Sequence, residues 1–401
     1  MKNLTIIPII LILLTCFACD TEQKGPSHLD VGTSELNSGR VIDAIQNLKE
    51  AEKKEEDKAE PRALLVIAYS HAISSKAART QRVEPEYKKE RNERIAALNT
   101  AEINKMIEHL SKKQSVFQAD GFEALVEKGT DAAVVLIDQI VNATYPEAEH
   151  HFISTIVKIG TDAVDPILNK VTDAAVSDEA KMKLIHMLGE IGDKKAVETL
   201  KSMDVSIMSL ALKMEFYTTL YRLGEMGYKS EILAGLKADE VEVRRAAAKA
   251  MANLKDVNTR TLIDALKDTD SQVVTDIVKA LSVHKTKDAV EPLINVFKGE
   301  YGDEAKSAVL DTFTAYAEVG SSLTKGLARK VSLLLIEKKI KSSTDRARLV
   351  QFLKHSTMVK QLKAAKILDN LDLKLHEYLE NDEESRLVKN QLNELLEKIK
   401  K

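Results

Sequence analysis

The sequence predicts an all-α fold, an α-solenoid of stacked helix pairs, from three observations. The stretch from Ala238 to Phe297 holds two copies of one unit end to end, with Val243 falling on Val274 and Leu262 on Leu293, each 31 residues apart. A fixed period of this size marks a stacked repeat. Apolar residues make up 44% of the chain while aromatics reach only 4% and Trp is absent, so the apolar content is mostly Ala, Leu, Val and Ile, the makings of short helices with closely approaching backbones. Seven prolines and fifteen glycines in 401 residues are too few for an all-β chain of this length with its many tight turns. The length exceeds what one compact core usually serves, and repetition favours an array. The formal charge of −3, with both signs interleaved, leaves no electrostatic footprint for nucleic acid.

Residues 1–18 read as an export signal: Lys2 supplies the positive start, Leu4 to Leu14 is apolar except for Thr5 and Pro8, and Ala18 is a small residue. The run is shorter than a membrane span requires. Cys16 and Cys19 are the chain's two cysteines, which excludes a disulfide framework or a Cys-based metal site in the remainder. The segment resembles a bacterial lipoprotein signal, in which a Cys after a small residue is lipidated and becomes the mature N-terminus. That resemblance implies lipidation at Cys19. Cys16 stands where the pattern usually has Leu, and it is the rival site, with Leu13 well placed before it but Thr15 poorly suited to cleavage. A lipid anchor implies an exported protein tethered to a membrane of the bacterial cell envelope through the polar residues 19–27.

Residues 28–80 resemble a divergent tetratricopeptide hairpin: Gly32 and Gly39 precede a helix carrying Ala44, Leu48 and Ala51, and Pro61 opens an apolar helix from Ala63 to Tyr69. The competing reading is an unclassified α-hairpin that begins the stack. Residues 81–113 form a charged helical connector, and the alternating signs from Glu86 to Arg94 predict a solvated helical face.

Repeats fill residues 114–375. Gly129, Thr130, Asp131 and Ala132 are matched by Gly160, Thr161, Asp162 and Ala163, and the run Ala163 to Asn169 recurs from Ala289 to Asn295. Leu136, Ile167, Leu200, Ile232, Leu262 and Leu293 serve as equivalent anchors at spacings of 31, 33, 32, 30 and 31 residues. Leu327 and Leu362 extend the series to about eight units. Each unit reads as two helices with a turn at a Gly or Asp-Lys segment, and Pro166 and Pro292 fall in the first turn of the second helix, where a missing amide donor costs little. On Asp239, Val243, Arg244 and Ala247, with Asp288, Ala289, Val290 and Leu293, the units resemble HEAT-like repeats of the short type known from phycobilisome lyases. This implies a HEAT-like superhelix. The unit from Ser271 to Leu281 lacks the Arg, having Val274-Thr275 instead, so a charged ladder would break there. Residues 376–401 read as a charged C-terminal capping helix with Leu387, Gln391, Leu392, Leu395, Leu396 and Ile399 along one side; a membrane-surface or partner helix is the competing reading.

The search for chemistry returns structural answers. His150 and His151 follow Glu147 and Glu149, residue types that hold zinc, yet adjacent helical residues diverge by about 100° and rarely share an ion. No phosphate loop, nucleophile elbow or zinc-binding helix motif occurs. The expectation is therefore no catalytic residue, no metal and no cofactor. Lyase activity belongs to some relatives of the repeat, and a lyase-like enzyme stands as the remote alternative.

A recurring polar position is more informative. Two residues past the anchors stand Asp138, Asn169, Ser202, Ala234, Asp264 and Asn295, and the Asp and Asn members form a candidate groove-lining row. The row either contacts a ligand or forms a hydrogen-bond ladder that sets repeat register. Three residues further, Lys237, Lys267 and Lys298 predict a basic edge suited to an acidic partner. The function expected is a membrane-anchored envelope scaffold or adaptor that binds other proteins, without catalysis. The alternative is an accessory of an envelope enzyme or polysaccharide system that binds glycan or lipid, with Tyr217, Tyr221 and Tyr228 as candidate stacking residues.

Overall fold

The computed structural model describes residues 26–112, 117–319, 326–336, 342–355, 358–359, 361–362, 376, 380 and 386–400. The export signal and both candidate lipidation sites, Cys16 and Cys19, lie outside them. Every regular element among the described residues is a helix, as the composition requires. The chain divides into two compact units, one up to Val135 and one from Leu136 onward.

The first unit contains α1 (His28–Asn37), α2 (Val41–Lys54), α3 (Ala59–Ser74), α4 (Ala77–Thr80), α5 (Glu84–Ala97), α6 (Thr100–Leu110) and α7 (Gln118–Lys128), and α8 (Thr130–Val141) carries the boundary. A capping box starts α1: the Ser27 hydroxyl accepts from the Asp30 amide at 3.1 Å, and the Asp30 carboxylate accepts from the Ser27 amide at 3.2 Å. α1 and α2 then cross tightly. A Cβ on Gly32 would lie 2.9 Å from Leu48 Cγ, and Ala44 and Ala51 are fully buried, so small residues set the helix spacing. α3 buries Leu64, Leu65, Val66, Ile67 and Tyr69 around its whole circumference, the pattern of a helix enclosed by its neighbours.

The charge run on α5 departs in part from the expected solvated face. Lys88, Lys89 and Glu93 do face water. Arg91 and Arg94, however, are only 13% and 20% exposed and reach other helices. Arg91 grips both oxygens of Glu127 at 2.7 Å, and Arg94 grips Glu52 at 3.2 and 3.0 Å. A planar guanidinium matches a carboxylate with two parallel bonds, which turns a local charge pattern into a tertiary link.

The second unit continues with α9 (Glu149–Ile159), α10 (Val164–Val171), α11 (Asp178–Ile191), α12 (Ala196–Lys201), α13 (Leu210–Arg222), α14 (Lys229–Gly235), α15 (Val241–Ala250), α16 (Thr259–Ala265), α17 (Ser271–His284), α18 (Val290–Lys298), α19 (Asp303–Val319), α20 (Leu327–Ile336), α21 (Ser343–Leu353) and α22 (Arg386–Lys400). First and second helices of the repeats alternate, the arrangement of an α-solenoid. All six anchors are completely buried, as are Leu327 and Leu362. One apolar core runs without interruption from Met214 to Leu396. Val388, Leu392, Leu395 and Leu396 of α22 belong to it, while Leu387 on the same helix is 57% exposed.

Within each pair the turn is made by one left-handed residue: Gly160, Gly192 and Gly224, then Asp256 and Lys285 where glycine is missing. Gly192 has φ 75° and ψ 12° and donates its amide to Leu188 O, closing the end of α11. Between pairs, buried hydroxyls of the first helices set the register. Thr219 Oγ1 donates to Ile185 O at 3.0 Å, and Thr312 Oγ1 shares its proton between Val278 O at 3.1 Å and Ala308 O of its own helix at 2.8 Å; Ile185 and Val278 each lie 34 residues back. The Tyr316 hydroxyl donates to Leu281 O at 3.0 Å, and that of Tyr221 accepts from the Lys255 amide at 2.8 Å. Arg244 binds Asp268 at 2.8 and 3.3 Å while also donating to Ala238 O and Asp239 O. One repeat later Val274 and Thr275 are buried core residues, and the arginine link is not repeated there.

Replacing Thr219 or Thr312 by Val keeps the shape and removes the inter-repeat hydrogen bond, so each change should lower stability by about 1 kcal/mol. Urea unfolding combined with amide exchange on α11 and α17 checks this. Gly192→Ala forces a Cβ into the left-handed region and should cost about 1 kcal/mol in the same assay.

Candidate binding surface

Helix geometry dictates where the polar row lies. Each anchor points into the core, and a residue two positions later is turned by about 200°, which carries it to the opposite side. Asn169, Ser202, Ala234, Asp264 and Asn295 are accordingly exposed and Asp138 is half-buried. Among the described residues one member of the row bonds to a neighbouring repeat. Asp138 meets Lys170 of the next repeat at 2.8 Å. Asp264 pairs locally with Arg260 and Lys267, each at 3.4 Å. Desolvation opposes ionisation of Asp264, but the hydrogen bonds and charges of Lys267 and Arg260 together prevail and lower its pKa. The side-chain amides of Asn169 and Asn295 have no partner among the described residues. Other inter-repeat bonds come from Thr219, Thr312, Tyr221 and Tyr316 of the first helices.

Of the basic edge, Lys267 is 76% exposed and shares Asp264, whereas Lys237 and Lys298 are exposed and form no ion pair among the described residues. The fold brings one row residue and one edge residue together. Asn295 and Lys267 border a cavity of about 390 Å³ whose walls are Ile263, Leu266, Pro292, Val296 and Tyr301. The Tyr301 hydroxyl lies within bonding distance of Leu266 O at 3.2 Å and Asp268 O at 3.3 Å, which fixes its ring as a wall. Asp138 and Asn169 sit in earlier repeats and do not border this cavity. Sequence reading missed Tyr301, because it lies in the linker and its role depends on carbonyls of the preceding repeat.

The tyrosine cluster does not act as one surface. Tyr217 and Tyr228 stack with centroids 5.3 Å apart and planes at 15°, but Tyr221 is buried and engaged by Lys255. His150 and His151 have ring centroids 3.8 Å apart. Among the described residues no three His, Cys, Asp or Glu side chains converge as a metal-binding group, and no helix is long and apolar enough to cross a membrane.

Residues 230–312, which include Arg244, Asp264, Asp268 and Asn295, match the family described as HEAT repeats. No curated protein matches the chain. Among solved structures, an engineered protein determined by crystallography is similar over 89% of this chain and 99% of its own, with 14% identity and a TM-score of 0.36. The chain therefore carries a HEAT-repeat region within an all-helical repeat fold, and HEAT repeats generally mediate protein binding.

On the first helices, Arg245 binds Asp270 at 3.0 and 2.7 Å, and Asp270 also caps α17 by accepting from the Gln272 and Val273 amides. The Arg245 hydrogen bond, against a smaller effect of burial and with help from the Val273 amide, lowers the Asp270 pKa to about 2. A depressed carboxylate stabilises the fold fully above its unfolded pKa of about 3.9, and that contribution is lost as pH falls through about 2. Arg245→Gln should raise the Asp270 pKa toward the ordinary value, as read by side-chain carboxyl NMR on protein carrying isotope-labelled aspartate.

Proposed function

We propose that this chain is a non-catalytic scaffold that binds extended segments of other proteins on the exposed second-helix surface of its repeats, while tethered by lipid at Cys19 to a membrane of the bacterial envelope. The carrying observation is the cavity bordered by Asn295 and Lys267. Its apolar walls suit an aliphatic side chain, and the unpartnered Asn295 amide can both donate to and accept from a peptide backbone. A repeat surface presents many such shallow sites in series, which fits a long partner better than a small substrate needing an enclosed pocket. Lys237, Lys267 and Lys298 favour acidic residues beside the inserted side chain. The envelope location rests on the N-terminal signal pattern and on the confinement of cysteine to positions 16 and 19.

A glycan-binding accessory role is the second reading, supported by the stacked Tyr217 and Tyr228 rings. The scarcity of aromatics elsewhere limits sugar stacking to that place.

Crosslinking in intact cells followed by mass spectrometry should recover a discrete envelope protein with the wild type and lose it with Asp264→Lys/Asn295→Lys, a pair that leaves the core intact. Recovery of the same partners with both would overturn the second-helix surface as the binding site. The intact mass of membrane-extracted protein should include acyl groups that vanish in Cys19→Ala; an unmodified form beginning at Asp20 would overturn the anchor.

A further inference from the structure

The linker between α12 and α13, residues 202–209, is longer than its counterparts at 172–177, 236–240, 266–270 and 299–302, and extra residues in a repeat array commonly serve binding. It presents Ile207 at 82% exposure beside Leu210 at 46%. This exposure is built in. The Asp204 carboxylate accepts from the Ser206 amide at 2.8 Å, the Asp178 carboxylate from the Ser209 amide at 3.1 Å, and Ser209 in turn caps α13. A β-branched side chain is thereby held out in water by polar anchors on both sides. Ile207 itself borders a cavity of about 430 Å³ that has Val176, Met208 and Leu212 among its other walls. Asp178, Asp204 and Lys181 also line it, and Lys181 forms no ion pair among the described residues.

We infer that this patch is a self-association surface, through which a second copy of the chain docks about a two-fold axis with each Ile207 entering the other's cavity. The patch carries both a protruding apolar side chain and an apolar recess, and both a cation, Lys181, and the carboxylates of Asp178 and Asp204. A two-fold contact requires this combination, since each patch must complement itself. A different protein would need only one member of each pair. Met203 and Met208 beside the recess can adjust to the incoming side chain. The contact stands apart from the Asn295 cavity, so it holds whether or not that surface binds another protein.

Sedimentation equilibrium of the full chain in density-matched detergent reads its protein mass with or without lipid. The wild type should show a concentration-dependent dimer, and Ile207→Asp should weaken it about tenfold or more with an unchanged helical circular dichroism spectrum. Asp204→Lys and Lys181→Asp should each weaken the dimer, and the double exchange should restore it, which a merely structural role for Asp204 would not produce. A wild type that stays monomeric throughout, a dimer indifferent to Ile207→Asp, or a double exchange without recovery would overturn the proposal.

Discussion

Each helix pair in the second unit presents an apolar face that a neighbouring pair must cover, and the continuous core from Met214 to Leu396 is the consequence. The short second helices, such as α12, α14 and α16, are below the length at which an isolated helix is stable in water. Stacking stabilises them. Burial of one anchor per repeat holds each short helix at a fixed rotation, and that rotation decides which residues are left for solvent and for partners.

Apolar contact alone permits sliding, so polar bonds must specify the register. The buried hydroxyls of Thr219 and Thr312 do this at carbonyls 34 residues back. Their positions are demanding, because a hydroxyl buried without a partner would itself be destabilising. Where the arginines of α15 are absent one repeat later, Thr312 and Tyr316 of α19 bind α17 carbonyls. Different side chains thus solve the same alignment problem in successive repeats, which is why the sequence shows a period without a strict motif. On the second-helix surface ion pairs such as Asp138 with Lys170 also join repeats, while the side-chain amide of Asn295 has no partner among the described residues.

The first unit illustrates how a local pattern can mislead. Alternating charges on α5 read as a solvated face, and Lys88, Lys89 and Glu93 conform. Arg91 and Arg94 do not, since Glu127 and Glu52 approach from α7 and α2. Nothing within residues 84–97 announces those partners. The same limit explains the tyrosines: Tyr217, Tyr221 and Tyr228 are close in sequence, yet helix rotation buries Tyr221 and leaves the other two to stack on each other.

The sequence by itself determined the helical class, the period near 31 residues, the positions of the anchors and the turns at Gly160 and Gly192. These follow from spacing along one helix, where 3.6 residues per turn converts position directly into direction. Only the tertiary structure decided that Lys267 shares a cavity with Asn295, that Tyr301 walls it, that Thr219 and Thr312 set the register, and that Ile207 stands in water beside an apolar recess. Those outcomes depend on the distance and rotation between helices about one period apart. Periodicity makes such residues neighbours, but the packing of side chains between them fixes which atoms meet.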